Sequence, residues 1–274
     1  MISRSEGRAA RSARAVLPFA VAGFGLLSPG PASGQVETPI PALLEPDFLL
    51  SVGELVDAET WRDAETIVGA AGETMIMDRS HAQYDLVYVP SVVDGRALSP
   101  GDAVQLFRLD RRIHDPVTFE LLGTLLLPTG FGVVDSLAGE TARVRVSDAF
   151  HPILVGDGVR IVTEAMETWP AAVQAASGIG GRIVAFQEEK AIHPPFDRLF
   201  LRSEVAGESA PGQVVELYRP GEIRNGVRLP DTVLGKAMVV RSNGSVAAAV
   251  SYELTRADLA PGDLYRPLPP GEGD

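Results

Sequence analysis

The sequence predicts a mostly β protein with two related, small β-barrel-like units joined by a linker with a short helix. Three observations predict this class: short apolar runs of strand length, Gly and Pro turn signals between them, and a series of phrases that occurs twice. The chain has 274 residues with 28 Gly and 21 Pro, and 45% of it is hydrophobic. That length and composition suffice for a packed core and argue against wholesale disorder.

The clearest repeated phrase is Pro-Gly followed by a strand. Residues 100–108 read PGDAVQLFR and residues 211–219 read PGQVVELYR. Upstream, Tyr84 and Phe196 each precede an aspartate and a short β-rich run. Glycine and proline at the corners supply turns, so we interpret the shared residues as structural landmarks. In chain order the landmarks are Asp85, Gly101, Gly123, Gly156 and Asp157 in the first half, and Asp197, Gly212, Gly235, Gly262 and Asp263 in the second.

The phrases between the landmarks have strand periodicity. Residues 141–147 alternate small or apolar with polar side chains, which is typical of a half-buried strand. Residues 236–251 read as two strands around Asn243-Gly244, which indicates a tight hairpin turn.

Two short helices are predicted. Pro170 suits a first helical turn, and the Ala-rich run 171–176 ends before Gly178. The second short helix is predicted over 57–64. The resulting division is 1–34 signal peptide, 35–64 N-terminal extension with a short helix, 65–164 first β unit, 165–181 linker, 182–267 second β unit and 268–274 disordered tail.

The N-terminus has the order of a secretory signal peptide. Four arginines precede an apolar run at 15–27, and small residues follow at 32–34. The run is too short, and too interrupted by Pro18, for a membrane span of about 20 residues. We therefore predict cleavage between Gly34 and Gln35, with export to the periplasm and no transmembrane segment in the mature chain.

Composition excludes several classes of protein. The formal net charge is -12, which argues against a nucleic-acid partner because phosphates require a basic surface. The sequence contains no cysteine, so disulfide scaffolds, thiolate metal sites, cysteine nucleophiles and lipid-anchoring cysteines are excluded.

A resemblance arises from the same phrases. The matching text includes VDAET at 56–60, YDLVYV at 84–89, HDPVTFELLG at 114–123, and PGDLYRP at 261–267. The chain over 56–267 resembles the part outside the LysM module of bacterial exported proteins that carry a LysM peptidoglycan-binding module. The resemblance implies turns and strands rather than chemistry. The LysM module itself is missing, and Phe119 stands where the family phrase has a turn glycine.

Reactive patterns are weak in this sequence. The histidines are not paired at the i, i+4 spacing that places two imidazoles on one helix face for zinc, and His151 and His193 read as strand or loop starts. The segment GESAP at 207–211 lacks the final glycine of a nucleophile elbow. No glycine-rich phrase matches a phosphate loop. We predict no catalytic, cofactor-binding or metal-binding residue and no cofactor.

The remaining charged residues are assigned structural roles. Arg108 and Arg219 occupy matching strand ends and are expected to pair with nearby acids, the alternative being contact with an anionic glycan or partner. The stretch 187–190 reads as a solvated hairpin tip. Repeated aspartates at turns accept backbone N–H bonds more often than they catalyse reactions.

The sequence therefore favours an exported, non-enzymatic cell-envelope protein that binds or scaffolds at the cell wall or outer membrane. Peptidoglycan or another envelope protein is the expected partner. The alternative is an envelope glycan hydrolase with a carboxylate acid/base pair, whose separation sequence does not reveal.

Overall fold

The first strand set begins with an N-terminal segment and ends at a one-turn helix. The computed structural model describes residues 46–70, 85–168, 170, 180–204 and 209–268. Its first elements are a 3-10 helix Pro46–Ser51, β1 Glu54–Val56, β2 Gly69–Ala70, β3 Leu86–Pro90, β4 Val92–Val93, β5 Arg96–Ala97, β6 Ala103–His114, β7 Leu121–Ala138, β8 Thr141–Ala149, β9 Gly158–Ile161 and α1 Glu164–Glu167.

The second strand set follows residue 180. Its elements are β10 Gly181–Phe186, β11 Arg198–Ser203, β12 Val214–Arg219, β13 Ile223–Arg224, β14 Val227–Arg228, β15 Thr232–Asn243, β16 Val246–Tyr252 and β17 Leu264–Pro267. The predicted mostly β class is confirmed.

Corresponding strands have the same order in the two sets. The first sheet runs β2-β3-β8-β7-β6-β9, and the second runs β10-β11-β16-β15-β12-β17 and closes into a barrel. In the first set a single antiparallel bridge between Thr66 and Gly158 joins the two ends of the sheet. In the second, β10 pairs with β17 at the corresponding place, where Arg182 lies opposite Leu264. We call the sets the first and second barrels, the first being a seven-stranded sheet whose ends meet at the Thr66–Gly158 bridge.

The register also matches at its irregularities. Both β6–β7 and β12–β15 contain a bulge, after Leu106 and after Leu217. Leu106 lies opposite Gly130, and Leu217 lies opposite Gly235. The sequence comparison paired Gly235 with Gly123, and the register corrects this. Gly123 belongs to a stretch of β7 opposite Ile113, beyond the part of the hairpin that the two barrels share.

Each barrel has its own apolar interior because strand side chains alternate between two faces. The first interior cluster includes Val87, Leu106 and Val144, and the second includes Leu199, Leu217 and Ala249. β15 is buried on both faces. Its Ala237 and Val239 belong to the second barrel's interior, whereas Met238 and Val240 belong to a third cluster outside it.

That third cluster holds the N-terminal segment, residues 46–56, against the second barrel. Leu49, Val52 and Leu55 pack with Met238 and Val250. β1 meanwhile pairs with β7 of the first barrel. The segment therefore contacts both barrels, and the described residues belong to one compact unit.

The helix predictions are only partly matched. Residues 57–64 form successive turns with hydrogen bonds such as Thr60 N to Asp57 O at 3.1 Å, rather than the predicted helix. The helix in the linker region is α1, a single turn that precedes Pro170. The predicted helix over 171–176, the signal peptide 1–34 with its cleavage site, His81, Tyr84, residues 205–208 and the tail after 268 lie outside the described residues.

Candidate functional site

The β6–β7 hairpin forms one wall of a cleft beside the second barrel. Arg111 Nη2 donates a 2.7 Å hydrogen bond to the carbonyl oxygen of Phe186 at the end of β10, which holds the hairpin against that barrel. The cleft has a volume of about 530 Å³. Its lining residues are Arg111, Arg112, Ile113, His114, Val184, Ala185, Phe186, Glu189, Lys190, Ala191, His193, Asp258, Leu259, Ala260 and Pro261.

The cleft includes an apolar surface contributed by the second barrel. Val184, Ala185 and Phe186 come from β10, and Leu259 precedes β17; all four are buried. Buried side chains of this kind offer dispersion contacts to a ring or an aliphatic group.

His193 is fixed within this surface. Its ring stacks on Phe186 with centroids 3.5 Å apart, and its Nδ1–H donates to Asp197 Oδ2 at 2.6 Å. Both side chains are almost fully buried. Asp197 in turn accepts from the Arg198 amide. The arrangement holds the imidazole in one orientation, and the predicted reading of His193 as a loop start is incomplete because its side chain is core.

The basic side chains of the cleft differ in their partners. Arg111 contacts Asp110, Glu189 and two backbone carbonyls, and Lys190 pairs with Glu188 at 2.8 Å. Arg112 and His114 are exposed, and neither side chain has a hydrogen bond or ion pair to another described residue. They are two residues apart on β6, so they share one face of the strand. This pair is available to an anionic group.

Two acids near the cleft, Asp258 and Glu188, have a pKa lowered by neighbouring basic side chains. Hydrogen bonds from Arg256 and then Arg219 lower the pKa of Asp258 below its usual value. A hydrogen bond from Lys190 lowers the pKa of Glu188. Within the described part of the chain, every carboxyl group with a resolved shift has a lowered pKa. A general acid at neutral pH requires the opposite shift.

The landmark aspartates at 157 and 263 pair with arginines in both barrels. Arg108 binds Asp157 through two nitrogens at 2.8 Å, and Arg219 binds Asp263 at 2.7 and 2.8 Å. Each carboxylate also accepts a backbone amide three residues earlier in the chain. These pairs close the turn before the last strand of each barrel, as the structural reading of the two arginines expects.

The stretch 187–190 departs from its prediction as a solvated hairpin tip. Gln187 is 2% exposed and is bound to the N-terminal segment, while Glu189 and Lys190 are exposed. No sequence pattern predicted the cleft. Alternation of Arg112 and His114 along β6 was the available signal, but the hairpin's position beside the second barrel depends on contacts more than 70 residues apart.

Neither a metal cluster nor a spanning helix is found in the described ranges. No group of three or more His, Asp or Glu side chains lies close enough there to hold a metal ion. Likewise, none of the helices in those ranges has the length and apolar character needed to cross a bilayer.

A scan of protein-family models and a search of curated proteins both returned no match to this chain.

Proposed function

We propose that this chain is an exported protein of the cell envelope that binds an envelope component without catalysing a reaction. Its binding site is the cleft between the β6–β7 hairpin and the second barrel. The observation that carries the proposal is the exposed basic pair, Arg112 and His114, whose side chains have no partner among the described residues and lie beside apolar residues of the second barrel.

The chemistry of the cleft favours a ligand with both an anionic and an apolar part. An arginine without an internal partner binds carboxylates through charge-assisted hydrogen bonds. The apolar residues that line the cleft on the side of the second barrel suit a sugar ring or aliphatic chain. Peptidoglycan has carboxylates on its peptide stems and rings in its glycan strands, which makes it the expected partner.

Two further parts of the proposal concern export and origin. Residues 1–34 direct the chain to the periplasm and are removed there. The barrels descend from one duplicated module, which their common strand order and equivalent Arg–Asp pairs support. The lowered pKa of Asp258 supports binding over general acid catalysis.

Sedimentation with purified sacculi tests the binding function. We expect the exported protein to be retained and expect retention to weaken as salt is raised, because exposed charges are screened. The double substitution Arg112→Ala and His114→Ala should weaken retention by roughly tenfold, since a hydrogen bond to a charged group contributes about 1.5–3 kcal/mol. Arg228→Ala is the matched control, because Arg228 is an exposed arginine on β14 outside the cleft.

The same assay can also contradict the proposed function. Absence of retention, or equal retention of the double variant, would reject the cleft as an envelope-binding site. Release of soluble sugar fragments from the sacculi would instead support the hydrolase alternative. Deletion of residues 1–34 should leave the protein in the cytoplasm, and normal export of that variant would reject the signal peptide.

A further inference from the structure

We propose that the tip of the β6–β7 hairpin, residues 115–121, is a membrane-docking loop that inserts into an electrically neutral lipid surface. The inference does not depend on which ligand occupies the cleft. It rests on three exposed apolar side chains, on four backbone amides that are hydrogen-bonded within the loop, and on ion pairs between the acids of the loop and two arginines of the second barrel.

The apolar side chains of the tip are unusually exposed. Val117, Phe119 and Leu121 are 60%, 79% and 52% exposed and occur at alternate positions. An exposed phenylalanine flanked by two aliphatic residues is a concentrated apolar surface in a chain with a net charge of -12. Three side chains are too small a patch for a stable protein–protein interface, which buries about 1,200 Å² or more in total. Insertion into lipid requires no such area from a partner.

Phe119 has a backbone conformation that is unfavourable for a phenylalanine. Its φ is 59°, in the left-handed region that glycine adopts readily and bulky residues rarely do. The loop therefore keeps the turn geometry that a glycine would suit while presenting an aromatic ring to solvent. Strain of this kind persists where the surrounding contacts fix the chain, and it is concentrated at functional sites.

Those contacts come from Asp115 and the second barrel. The Asp115 carboxylate accepts the amides of Val117 at 2.8 Å and Thr118 at 3.0 Å, and its carbonyl oxygen accepts the amide of Phe119 at 2.9 Å. The Asp115 amide donates to Glu120 O at 2.9 Å. A lipid environment penalises unpaired backbone groups, so satisfied amides lower the cost of entering it.

The charges of the tip are balanced by two arginines. Arg202 Nη1 lies 2.9 Å from Asp115 Oδ2 and its Nη2 lies 2.6 Å from Glu120 Oε2, while Arg182 Nη1 lies 3.5 Å from Asp115 Oδ1. Asp115 and Glu120 are thus matched by Arg202 and Arg182 within the tip, and the basic side chains of Arg112 and His114 lie before residue 115, along the cleft. The rest of the protein is acidic and is repelled by anionic lipid, so the loop chemistry fits a zwitterionic surface.

Flotation with vesicles of pure phosphatidylcholine tests the proposal. Wild-type protein and the Phe119→Gly variant are purified in the same way, so that residues 1–34 are equally present or absent in both. We expect wild type to float with the vesicles and Phe119→Gly to bind at least tenfold more weakly. Glycine suits the φ of this position, so the variant keeps its fold and its melting temperature does not fall.

Two further variants and one change of lipid composition serve as controls. Phe119→Trp should retain binding, and Leu137→Ala, which removes an exposed leucine at the end of β7, should bind like wild type. Phosphatidylglycerol added to the vesicles should reduce binding at low salt, which is the reverse of binding driven by basic residues. No flotation of wild type, or equal flotation of Phe119→Gly, would overturn the proposal. So would binding that requires phosphatidylglycerol.

Discussion

The side-chain amide of Gln187 bonds to the backbone on both sides of Val52 and so connects the second barrel to the N-terminal segment. Its Oε1 accepts the Gly53 amide at 2.7 Å, and its Nε2 donates to Ser51 O at 2.9 Å. Arg241 Nη1 donates to Val52 O at 2.7 Å from the same barrel. Backbone groups of a segment without a continuous strand are thereby satisfied by side chains, as burial requires.

Gln187→Ala should therefore destabilise the fold strongly. It leaves a buried amide and a buried carbonyl without partners, which costs roughly 2–4 kcal/mol in the free energy of unfolding. Urea denaturation measures this change. Glu189→Ala, two residues away with a side chain 82% exposed, should change stability by no more than about 0.5 kcal/mol. Equal effects of the two substitutions would contradict the stabilising role of the Gln187 hydrogen bonds to the N-terminal segment.

Asp115→Asn should lower the stability of the fold at neutral pH and reduce the change in stability between neutral and acidic pH. Burial opposes ionisation of Asp115, but the amides of Thr118 and Val117 and the hydrogen bond from Arg202 lower its pKa below 3.8. When folding lowers the pKa of a carboxyl group, that group stabilises the fold fully at a pH above its pKa in the unfolded chain. The stabilisation is lost as the pH falls through the pKa of the folded state. Wild type should therefore lose this contribution below about pH 4.

Denaturant titrations at pH 7 and pH 3 provide the measurement for Asp115. We expect Asp115→Asn to cost roughly 2 kcal/mol at pH 7 and less at pH 3. Asp63→Asn, at an exposed aspartate, serves as the control and should stay within about 0.5 kcal/mol at pH 7. A deficit of the same size at both pH values would argue against an ionised Asp115 in the folded protein.

Gly181→Ala should be among the most damaging single-methyl additions. A Cβ at Gly181 would lie 1.9 Å from the carbonyl oxygen of Arg202 and 2.7 Å from the Tyr265 ring. Because Arg202 O belongs to the paired strand β11, relief requires the strands to separate, at a cost of roughly 2 kcal/mol or more. Gly69→Ala is the matched control, since nothing lies within 4 Å of its added Cβ. Thermal melting of both variants should separate them by several degrees.

Substitution of the two equivalent aspartates, Asp157 and Asp263, should lower the free energy of unfolding by equal amounts, and the two effects should add. Asp157→Asn and Asp263→Asn each weaken a buried carboxylate that binds an arginine and a backbone amide, for roughly 1–3 kcal/mol apiece. The sites lie in different barrels and share no partner, so the double variant should match the sum within about 0.5 kcal/mol. Chemical denaturation of the three variants checks this, and strongly unequal single effects would argue against equivalent roles.

Several features could be predicted from local sequence because short-range physics decides them. Strand alternation and Gly or Pro turns predicted the mostly β class, and residues 236–251 form the expected hairpin, although its turn residues are Gly244 and Ser245 rather than the predicted Asn243 and Gly244. The Pro-Gly and Gly-Asp corners need particular backbone angles: Gly101, Gly156, Gly212 and Gly262 all have φ between 86° and 98°. Because a turn of this kind depends on residues only a few positions apart, it can be predicted from the local sequence.

Tertiary structure decided what depends on distant contacts. Gly123 resembles Gly235 in its dipeptide, yet the register gives Gly235 the counterpart Gly130, because β6 and β7 continue past the shared hairpin. Gln187 reads as a polar tip residue but is buried by a segment more than 130 positions earlier. The cleft and the exposed Phe119 depend on that longer hairpin meeting the second barrel. The sequence alone determined strands, corners and charge, whereas only long-range packing decided which faces are buried and which groups remain unpaired.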